Sequence, residues 1–182
     1  MIYAALLRGI NVGGTGKVEM AKLKVTFERL GLSAVKTYIN SGNVIFLTES
    51  RDQQQLTAQI EAAIEHDFGF SVKVLLRNID QVEKLVEAIP NSWVNDTNMK
   101  CDVLFLWPEI DDPNIVEQLP NDPEIEDVKY FPGAVVWRID RGKVIESKMV
   151  KLVGTKLHKQ MTARNSNTVC KIYDLMLALK SA

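Results

Sequence analysis

The sequence predicts an α+β protein built from two tandem βαββαβ units with one added helix at the C-terminus. Three observations lead to this class. Short, unbroken apolar runs are typical of buried strands, and stretches with apolar residues at helical spacing lie between them. Runs of turn-forming residues join two pairs of strands directly as hairpins. The same order of elements occurs twice in the 182 residues, and it is the order of the ferredoxin-like plait.

The first unit is predicted at residues 1–78. Residues 2–7 form an apolar run that is too short for a helix, so they predict a strand buried on both faces. A glycine-rich loop and an amphipathic helix follow, and the helix ends near Gly31, which accepts the positive φ of a C-cap. Residues 35–39 and 44–47 flank a run of turn formers and predict the hairpin.

A second helix and a fourth strand complete this unit. Ser50 and Gln53 have the spacing of a capping box, which predicts that the helix starts there and ends near Gly69. Residues 72–76 form another short apolar run. Residues 79–100 are predicted as a further helix, opened by a second capping box at residues 80–83, and a polar connection.

The second unit is predicted at residues 101–182. It begins with a buried strand at 101–107, and Asp112-Pro113 then supplies an N-cap and a proline at the first helical position. Pro132-Gly133 closes the second hairpin. The remaining predicted elements are a helix at 149–161, a very short strand at 162–164 and a final helix capped by residues 165–168.

A short local repeat supports a duplication. Leu75-Leu76-Arg77-Asn78 and Thr162-Ala163-Arg164-Asn165 each precede a predicted helix. The agreement in element order is the stronger indication, because two four-residue matches can arise by chance.

Two segments carry recognisable motifs. The first comprises Leu6-Leu7-Arg8-Gly9-Ile10-Asn11-Val12-Gly13-Gly14, Lys17-Val18, Met20 and residues 38–44, and the second comprises residues 162–165, Thr168-Val169 and Lys171. Together they resemble the bacterial domain-of-unknown-function family numbered 1697. The resemblance spans the whole chain and implies tandem ferredoxin-like modules, but no activity and no catalytic residues. It also leads us to expect an aromatic residue where Ser166 stands.

Composition and the lengths of the apolar runs indicate what kind of protein this is and where it is found. Hydrophobic residues make up 46% of the chain, which is enough for ordinary cores. No apolar run approaches the roughly 18 residues of a membrane span, and no basic stretch precedes the first apolar run. We therefore expect a soluble, cytoplasmic protein with no membrane partner.

The inventory of reactive residues is small. The two cysteines, Cys101 and Cys170, make neither a disulfide framework nor a metal site, and we expect buried structural thiols. His66 and His158 lie on predicted helices, and no recognisable motif places a nucleophile beside them. We predict no cofactor and no metal, and the sequence identifies no catalytic residue.

The glycine-rich loop suggests an anion contact. Gly13-Gly14-Thr15-Gly16-Lys17 precedes a helix, and glycines let backbone N–H groups approach a phosphate. A Walker A motif is excluded, because Val18 follows the lysine and Asn11 stands where the first glycine belongs. A looser anion contact and a long surface loop are the alternatives that stay open.

Charge is distributed unevenly along the chain, although its net value is -1. Residues 141–171 contain one acid, Glu146, and residues 109–127 contain no Lys or Arg. A basic side of this kind steers anionic partners and makes their binding fall with salt. A solvated lysine face, or pairing of opposite charges between two copies in a homodimer, explains the same pattern. The basic residues are Arg141, Lys143, Lys148, Lys151, Lys156, Lys159, Arg164 and Lys171.

These observations lead to one favoured function and two alternatives. The favoured function is a module that binds an anionic small molecule or nucleic acid through the glycine loop and the basic C-terminal region. The alternatives are a small enzyme acting on a phosphorylated or carboxylated metabolite in a cleft between modules, and a protein-interaction or dimerisation module. The predicted ligand-binding residues are Arg8, Asn11, Gly13, Gly14, Lys17, Arg164, Asn165 and Lys171.

Overall fold

The structure is a computed structural model that describes residues 1–12 and 16–181 of the chain. It has a mixed α+β fold with two four-stranded antiparallel sheets and a C-terminal helix. The predicted α+β class is therefore confirmed. Two compact units are distinguished: Met1–Val82 together with the chain from Ile172 onward, and Glu83–Lys171.

The first sheet belongs to a unit with the order strand, helix, strand, strand, helix, strand. Its elements are β1 (Ile2–Leu7), α1 (Met20–Arg29), β2 (Ser33–Tyr38), β3 (Asn43–Leu47), α2 (Gln53–Phe68) and β4 (Val74–Asn78). The strands are ordered β2-β3-β1-β4, and every neighbouring pair is antiparallel. β1 therefore lies inside the sheet, and all of its residues are buried, as its apolar run predicts.

The core of this unit lies between the sheet and the helices α1 and α2. Phe27 of α1, Ile60 of α2 and Phe46 of β3 are fully buried there. The rings of Phe27 and Phe46 pack edge to face with their centroids 5.6 Å apart. Gly31 follows α1 with a φ of 79° and donates its N–H to Glu28 O, so the helix ends where the sequence predicts.

A network of polar contacts joins α1 to the C-terminal end of α2. The Asp67 carboxylate accepts hydrogen bonds from Arg29 Nη2 at 2.7 Å and from Thr26 Oγ1 at 2.6 Å. His66 Nδ1 lies 2.9 Å from the same carboxylate. These contacts, with Arg29 the strongest, hold the pKa of Asp67 well below its usual range. Lys22 adds a hydrogen bond from Nζ to the Asp67 carbonyl oxygen at 2.6 Å, so the two helices are joined at several points.

The second sheet repeats the strand order of the first. Its strands are β5 (Met99–Leu106), β6 (Glu126–Phe131), β7 (Ala134–Asp140) and β8 (Met161–Asn165). They are ordered β6-β7-β5-β8, again with antiparallel neighbours. In the chain, α3 (Ile79–Ala88) precedes this sheet and α4 (Ser166–Lys180) follows it. No helix in the described ranges is long and apolar enough to cross a membrane.

The long connections of the second sheet differ from the prediction. The sequence predicts helices after Asp112-Pro113 and at residues 149–161, but both segments form short 3-10 helices. Gly154 has a φ of 86°, which a right-handed helix does not accommodate, and Thr155 Oγ1 donates to Leu152 O at 2.8 Å. These features interrupt the apolar pattern from which a continuous helix is predicted. The 3-10 helices of the two segments are Pro113–Gln118, Met149–Leu152 and His158–Gln160.

Two helices begin at caps that the sequence analysis did not identify. Asp52, and not Ser50, accepts the hydrogen bond from Gln55 N at the start of α2, at 2.9 Å. Ahead of α3, Asn78 and Gln81 exchange two hydrogen bonds of 2.9 Å each. This reciprocal pair is a capping box that starts two residues before the predicted one.

Candidate functional site

Asn11 joins the two described ends of the glycine-rich loop by hydrogen bonds. Its backbone N–H donates to Gly16 O at 3.0 Å. Its side chain donates from Nδ2 to Val18 O at 2.9 Å, and Oδ1 accepts from Val18 N at 2.8 Å. A second Nδ2 hydrogen bond, of 2.8 Å, runs to Asn40 O in the β2–β3 turn. Because both N–H groups of the amide are used, this side chain shapes the loop and has no donor left for a ligand.

The β2–β3 turn packs directly on the start of this loop. Leu7 N donates to Gly42 O at 2.8 Å. Gly42 has a φ of 78°, and a Cβ atom there would lie 2.8 Å from Leu7 Cβ and 2.6 Å from Ile10 Cδ1, so only glycine fits. The buried Asn43 side chain holds the turn from within by donating to Tyr38 O at 3.0 Å. The loop and the turn therefore form one continuous surface.

We term residues 8–12, 16–18 and 38–42 the loop–turn surface. Two of the predicted ligand-binding residues supply its positive charge. Arg8 is half-buried, and Lys17 is exposed and makes no ion pair with any residue that the structure describes. Gly13 and Gly14 lie outside the described residues, so the predicted phosphate contact of the loop stays a prediction.

The loop–turn surface also carries two aliphatic residues that the sequence analysis did not identify. Val12 is 59% exposed and Ile39 is 47% exposed. Ile39 has a φ of 49°, a left-handed conformation that is rare for a β-branched residue. Such outliers cost roughly 1–3 kcal/mol and cluster at functional sites. The one feature of the sequence that could have identified this residue is its position: Ile39 stands directly before the turn formers Asn40-Ser41-Gly42.

The local repeat of the sequence has a structural counterpart. Arg77 in β4 and Arg164 in β8 are both buried. Each donates from Nη1 to the carbonyl oxygen of the preceding residue, at 3.0 Å and 2.7 Å respectively. Asn78 and Asn165 then end the two strands, and Oδ1 of each accepts the N–H of the residue three positions on, at 2.9 Å and 2.8 Å. Both strands thus pass into their helices through the same arrangement.

The predicted site residues of the second unit differ in their surroundings. Burial lowers the pKa of the Arg164 guanidinium to about 10, which leaves it charged at neutral pH. Asn165 uses Oδ1 to cap α4. Lys171 is exposed on α4 and makes no ion pair within the described chain. These three residues belong to the second unit, whereas Arg8, Asn11 and Lys17 belong to the first.

We term residues 141–160 the basic segment; it follows β7 and contains three short 3-10 helices. Lys148 pairs with Asp122 at 3.0 Å. Glu146 is the one acid in the sequence of this segment. Its other lysines are exposed and form no ion pair with a residue in the described ranges, so the segment holds excess positive charge. These lysines are Lys143, Lys151, Lys156 and Lys159.

Glu126 of β6 anchors the basic segment to the second sheet. Its carboxylate is buried and accepts hydrogen bonds from Trp137 Nε1 at 3.0 Å and from Ser147 Oγ. The backbone N–H of Lys148 donates to the same carboxylate at 3.1 Å. A buried carboxylate needs such donors, and here two of them come from the segment itself. These hydrogen bonds fix one side of the segment to the sheet.

The histidines and cysteines differ in their hydrogen bonds and in their burial. His66 belongs to the Asp67 network, and His158 Nδ1 accepts from Gly154 N at 3.4 Å. Burial raises the pKa of the Cys101 thiol, whereas Cys170 is exposed, so the expectation of buried thiols is wrong for Cys170. Across the described residues, no group of three His, Cys, Asp or Glu side chains could hold a metal ion.

The two sheets and their connections define an α+β protein of two units, and comparison with known proteins assigns its family. A model of the family described as a protein of unknown function, DUF1697, matches residues 1–137. The chain belongs to this family, which confirms the resemblance carried by the N-terminal motif; the second motif, at residues 162–171, lies beyond the matched residues.

One solved structure is similar over nearly the whole chain. It is that of the conserved bacterial protein SP0830 from Streptococcus pneumoniae, with a TM-score of 0.82 and 27% sequence identity. The match covers 96% of this chain and 98% of that chain. A comparison with curated proteins finds no match.

Proposed function

We propose that this protein is a cytoplasmic binding module for an extended anionic partner, with the basic segment as its main contact. The observation that carries this proposal is the set of four exposed lysines that form no ion pair within the described chain. Phosphorylated metabolites, nucleotides and nucleic acids share the phosphate groups that such lysines bind. An extended partner is favoured because it contacts several of these lysines at once.

The charge of the basic segment supports this choice. The net charge of the chain is -1, so the local excess of lysines is offset by acids elsewhere. Like charges placed close together repel one another, and an anion lying between them relieves this repulsion. Lysine is a compact, strongly hydrated charge on a long stem, and it binds phosphate without a fixed geometry. We therefore expect a salt-sensitive association with broad tolerance for the partner's shape.

The loop–turn surface is the proposed second contact for the same class of partner. Arg8 and Lys17 supply its cations, and Gly13 and Gly14 are proposed to offer backbone N–H groups. Asn11 supports the contact by closing the loop. In the second unit, Asn165 caps the start of α4, Arg164 is a buried charge with hydrogen bonds inside β8, and Lys171 adds an exposed charge.

The proposal is tested by binding to a labelled single-stranded oligonucleotide, to nucleotides and to anionic lipid vesicles at low and moderate salt. Replacing Lys151→Glu together with Lys156→Glu is expected to weaken binding at least about tenfold and to reduce its salt dependence. The matched control, Lys36→Glu with Lys180→Glu, makes the same change in net charge at exposed lysines outside both surfaces. The proposal fails if the unmodified protein binds none of these three classes of anion, or if both double variants lose the same affinity.

A second candidate function, a protein-interaction module, is favoured by Ile39. An exposed β-branched residue held in a left-handed conformation suggests that the turn is kept for contact with another protein. A second copy of the chain is the first partner to test, by sedimentation over a range of concentrations. Self-association that Val12→Asn weakens would support this candidate. A monomer at every concentration would exclude a second copy of the chain as the partner.

We also propose that the two sheets are tandem ferredoxin-like modules at residues 1–78 and 101–182, joined by residues 79–100. The shared strand order supports this assignment. The matching contacts of Arg77 and Arg164, and of the asparagines that follow them, support it independently. In the second module, 3-10 helices stand where the first has α1 and α2.

A further inference from the structure

We propose that the basic segment binds the surface of an anionic phospholipid bilayer. The inference rests on the proposed function and names its partner. It starts from aliphatic side chains that are exposed among the lysines: Ile145 is 92% exposed, Val153 is 69% exposed, and Val150 is also exposed. Exposed apolar residues gathered in one short segment mark a candidate interaction site.

The lysines and these aliphatic residues face away from the same core. Met149 and Leu152 are buried in the core of the second unit, and Val144 and Leu157 pack against it. The Ser147 hydroxyl and the Lys148 N–H are bound to the buried Glu126. Since these residues hold the segment against the sheet, the residues between them are the part of the segment that is exposed. The exposed residues include Lys143, Lys151, Lys156 and Lys159 together with Ile145, Val150 and Val153.

This combination matches the two layers of a bilayer surface. Lysine ammonium groups bind lipid phosphates, and their long stems let the charge stay in the headgroup layer while neighbouring side chains lie deeper. Ile145 and Val153 can enter the boundary between headgroups and acyl chains. A single-stranded nucleic acid would instead use aromatic side chains for stacking, and residues 141–160 contain no Phe, Tyr or Trp.

The distribution of charge orients the second unit on such a surface. The acidic residues that precede the segment in the chain border it at the Lys148–Asp122 ion pair, which neutralises Lys148. Within the segment, Glu146 opposes four lysines that form no ion pair with a described residue. Each lysine near an anionic surface raises the affinity about fivefold, so the basic side is the one expected to face the lipid. In the cytoplasm this surface is the anionic inner leaflet.

The expectation of no membrane partner arose from the lack of an apolar run long enough to span a bilayer. Contact with the surface of a bilayer needs only side chains, and it is compatible with helices that are too short or too polar to cross one.

The test is co-sedimentation of the full-length protein with vesicles of phosphatidylcholine, with and without phosphatidylglycerol. We expect binding only when the anionic lipid is present. Lys151→Glu with Lys156→Glu, and separately Ile145→Ser with Val153→Ser, should each weaken it at least about tenfold. The matched controls are Lys36→Glu with Lys180→Glu, and Val25→Ser with Val94→Ser, which change exposed residues of the same types elsewhere.

A parallel measurement with a single-stranded oligonucleotide separates the outcomes. Binding to the oligonucleotide without binding to anionic vesicles overturns the lipid inference and leaves the proposed function standing. Binding to neither overturns both. Equal binding to neutral and anionic vesicles, or vesicle binding that the Ile145 and Val153 substitutions leave unchanged, also overturns the lipid inference. Circular dichroism of each variant confirms that it is folded before its binding is compared.

Discussion

Glu126 and Ser147 are joined by a buried hydrogen bond in which the serine hydroxyl donates to the carboxylate. This contact connects β6 to the basic segment, and Trp137 Nε1 donates to the same carboxylate oxygen. The position of the exposed lysines in the second unit therefore depends on a buried acid of the neighbouring sheet.

Removing the Glu126 side chain should destabilise the protein strongly. Glu126→Ala leaves the buried donors of Trp137 and Ser147 without their acceptor, at a cost of roughly 2–4 kcal/mol. Urea unfolding followed by circular dichroism measures this loss. Glu124→Ala is the control, because Glu124 is exposed on the same approach to β6, and it should change stability by less than about 0.5 kcal/mol. Equal effects of the two substitutions would contradict the anchoring role of Glu126.

Asp67 should make the stability of the protein fall in acid. The hydrogen bonds from Arg29 and Thr26 hold its pKa below the unfolded value, so its contribution is complete above about pH 4 and is lost as the pH falls below that value. Urea midpoints measured from neutral to acidic pH test this. Asp67→Asn should lower the midpoint at neutral pH and flatten its acid dependence. Glu28→Gln, which changes an exposed carboxylate on α1, should leave the acid dependence of the unmodified protein in place.

Asn11→Asp should open the glycine-rich loop. The substitution replaces two donated hydrogen bonds with a carboxylate oxygen facing the carbonyl oxygens of Val18 and Asn40, which costs roughly 1–3 kcal/mol. Limited proteolysis and thermal unfolding both report the change. Asn40→Asp adds the same charge at the neighbouring position, where the contact with Asn11 uses only the backbone carbonyl. If both substitutions had the same effect, charge rather than loop closure would be the cause.

Ile39→Asn should stabilise the protein while removing an exposed apolar side chain. Asparagine tolerates the left-handed conformation that Ile39 adopts, so relief of strain should raise stability by roughly 1 kcal/mol. The measurement is the shift in the thermal midpoint. Val12→Asn is the control, since it removes a comparable exposed side chain on the same surface without relieving that strain. An unchanged or lower midpoint for Ile39→Asn would show that the turn is not strained.

Hydrophobic periodicity was sufficient for most of the fold. It predicts every strand that the structure describes and the helices α1 to α4, because these elements bury faces of period two or 3.6. It fails at residues 149–161, where apolar residues at helical spacing lie in separate 3-10 helices. There, Met149 and Leu152 reach the core from a short 3-10 helix, and Gly154 and Thr155 end the helical pattern directly after it. A pattern of apolar residues identifies which side chains are buried without fixing the backbone that buries them.

The candidate sites were predicted less completely, because their contacts are long-range. The excess of basic residues in the second unit can be predicted from the charge pattern of the sequence, and Lys151 and Lys156 are exposed, as that prediction requires. The role of Asn11 depends on Asn40, which is distant in the chain, and local sequence contains no sign of this hydrogen bond. Ile145 is exposed because its neighbours are anchored to the sheet. The spacing of apolar residues in the sequence does not predict this anchoring.

Asn78 and Asn165 each serve as the last residue of a strand and the cap of the next helix, so no loop residue separates the two elements. One inserted residue at either junction would turn the helix by about 100° relative to its strand and move its apolar side away from the residues it packs against. Insertions and deletions should therefore be tolerated less at these two junctions than in the connection at 107–125. Chain length at the junctions is thus as constrained as the identity of a core residue.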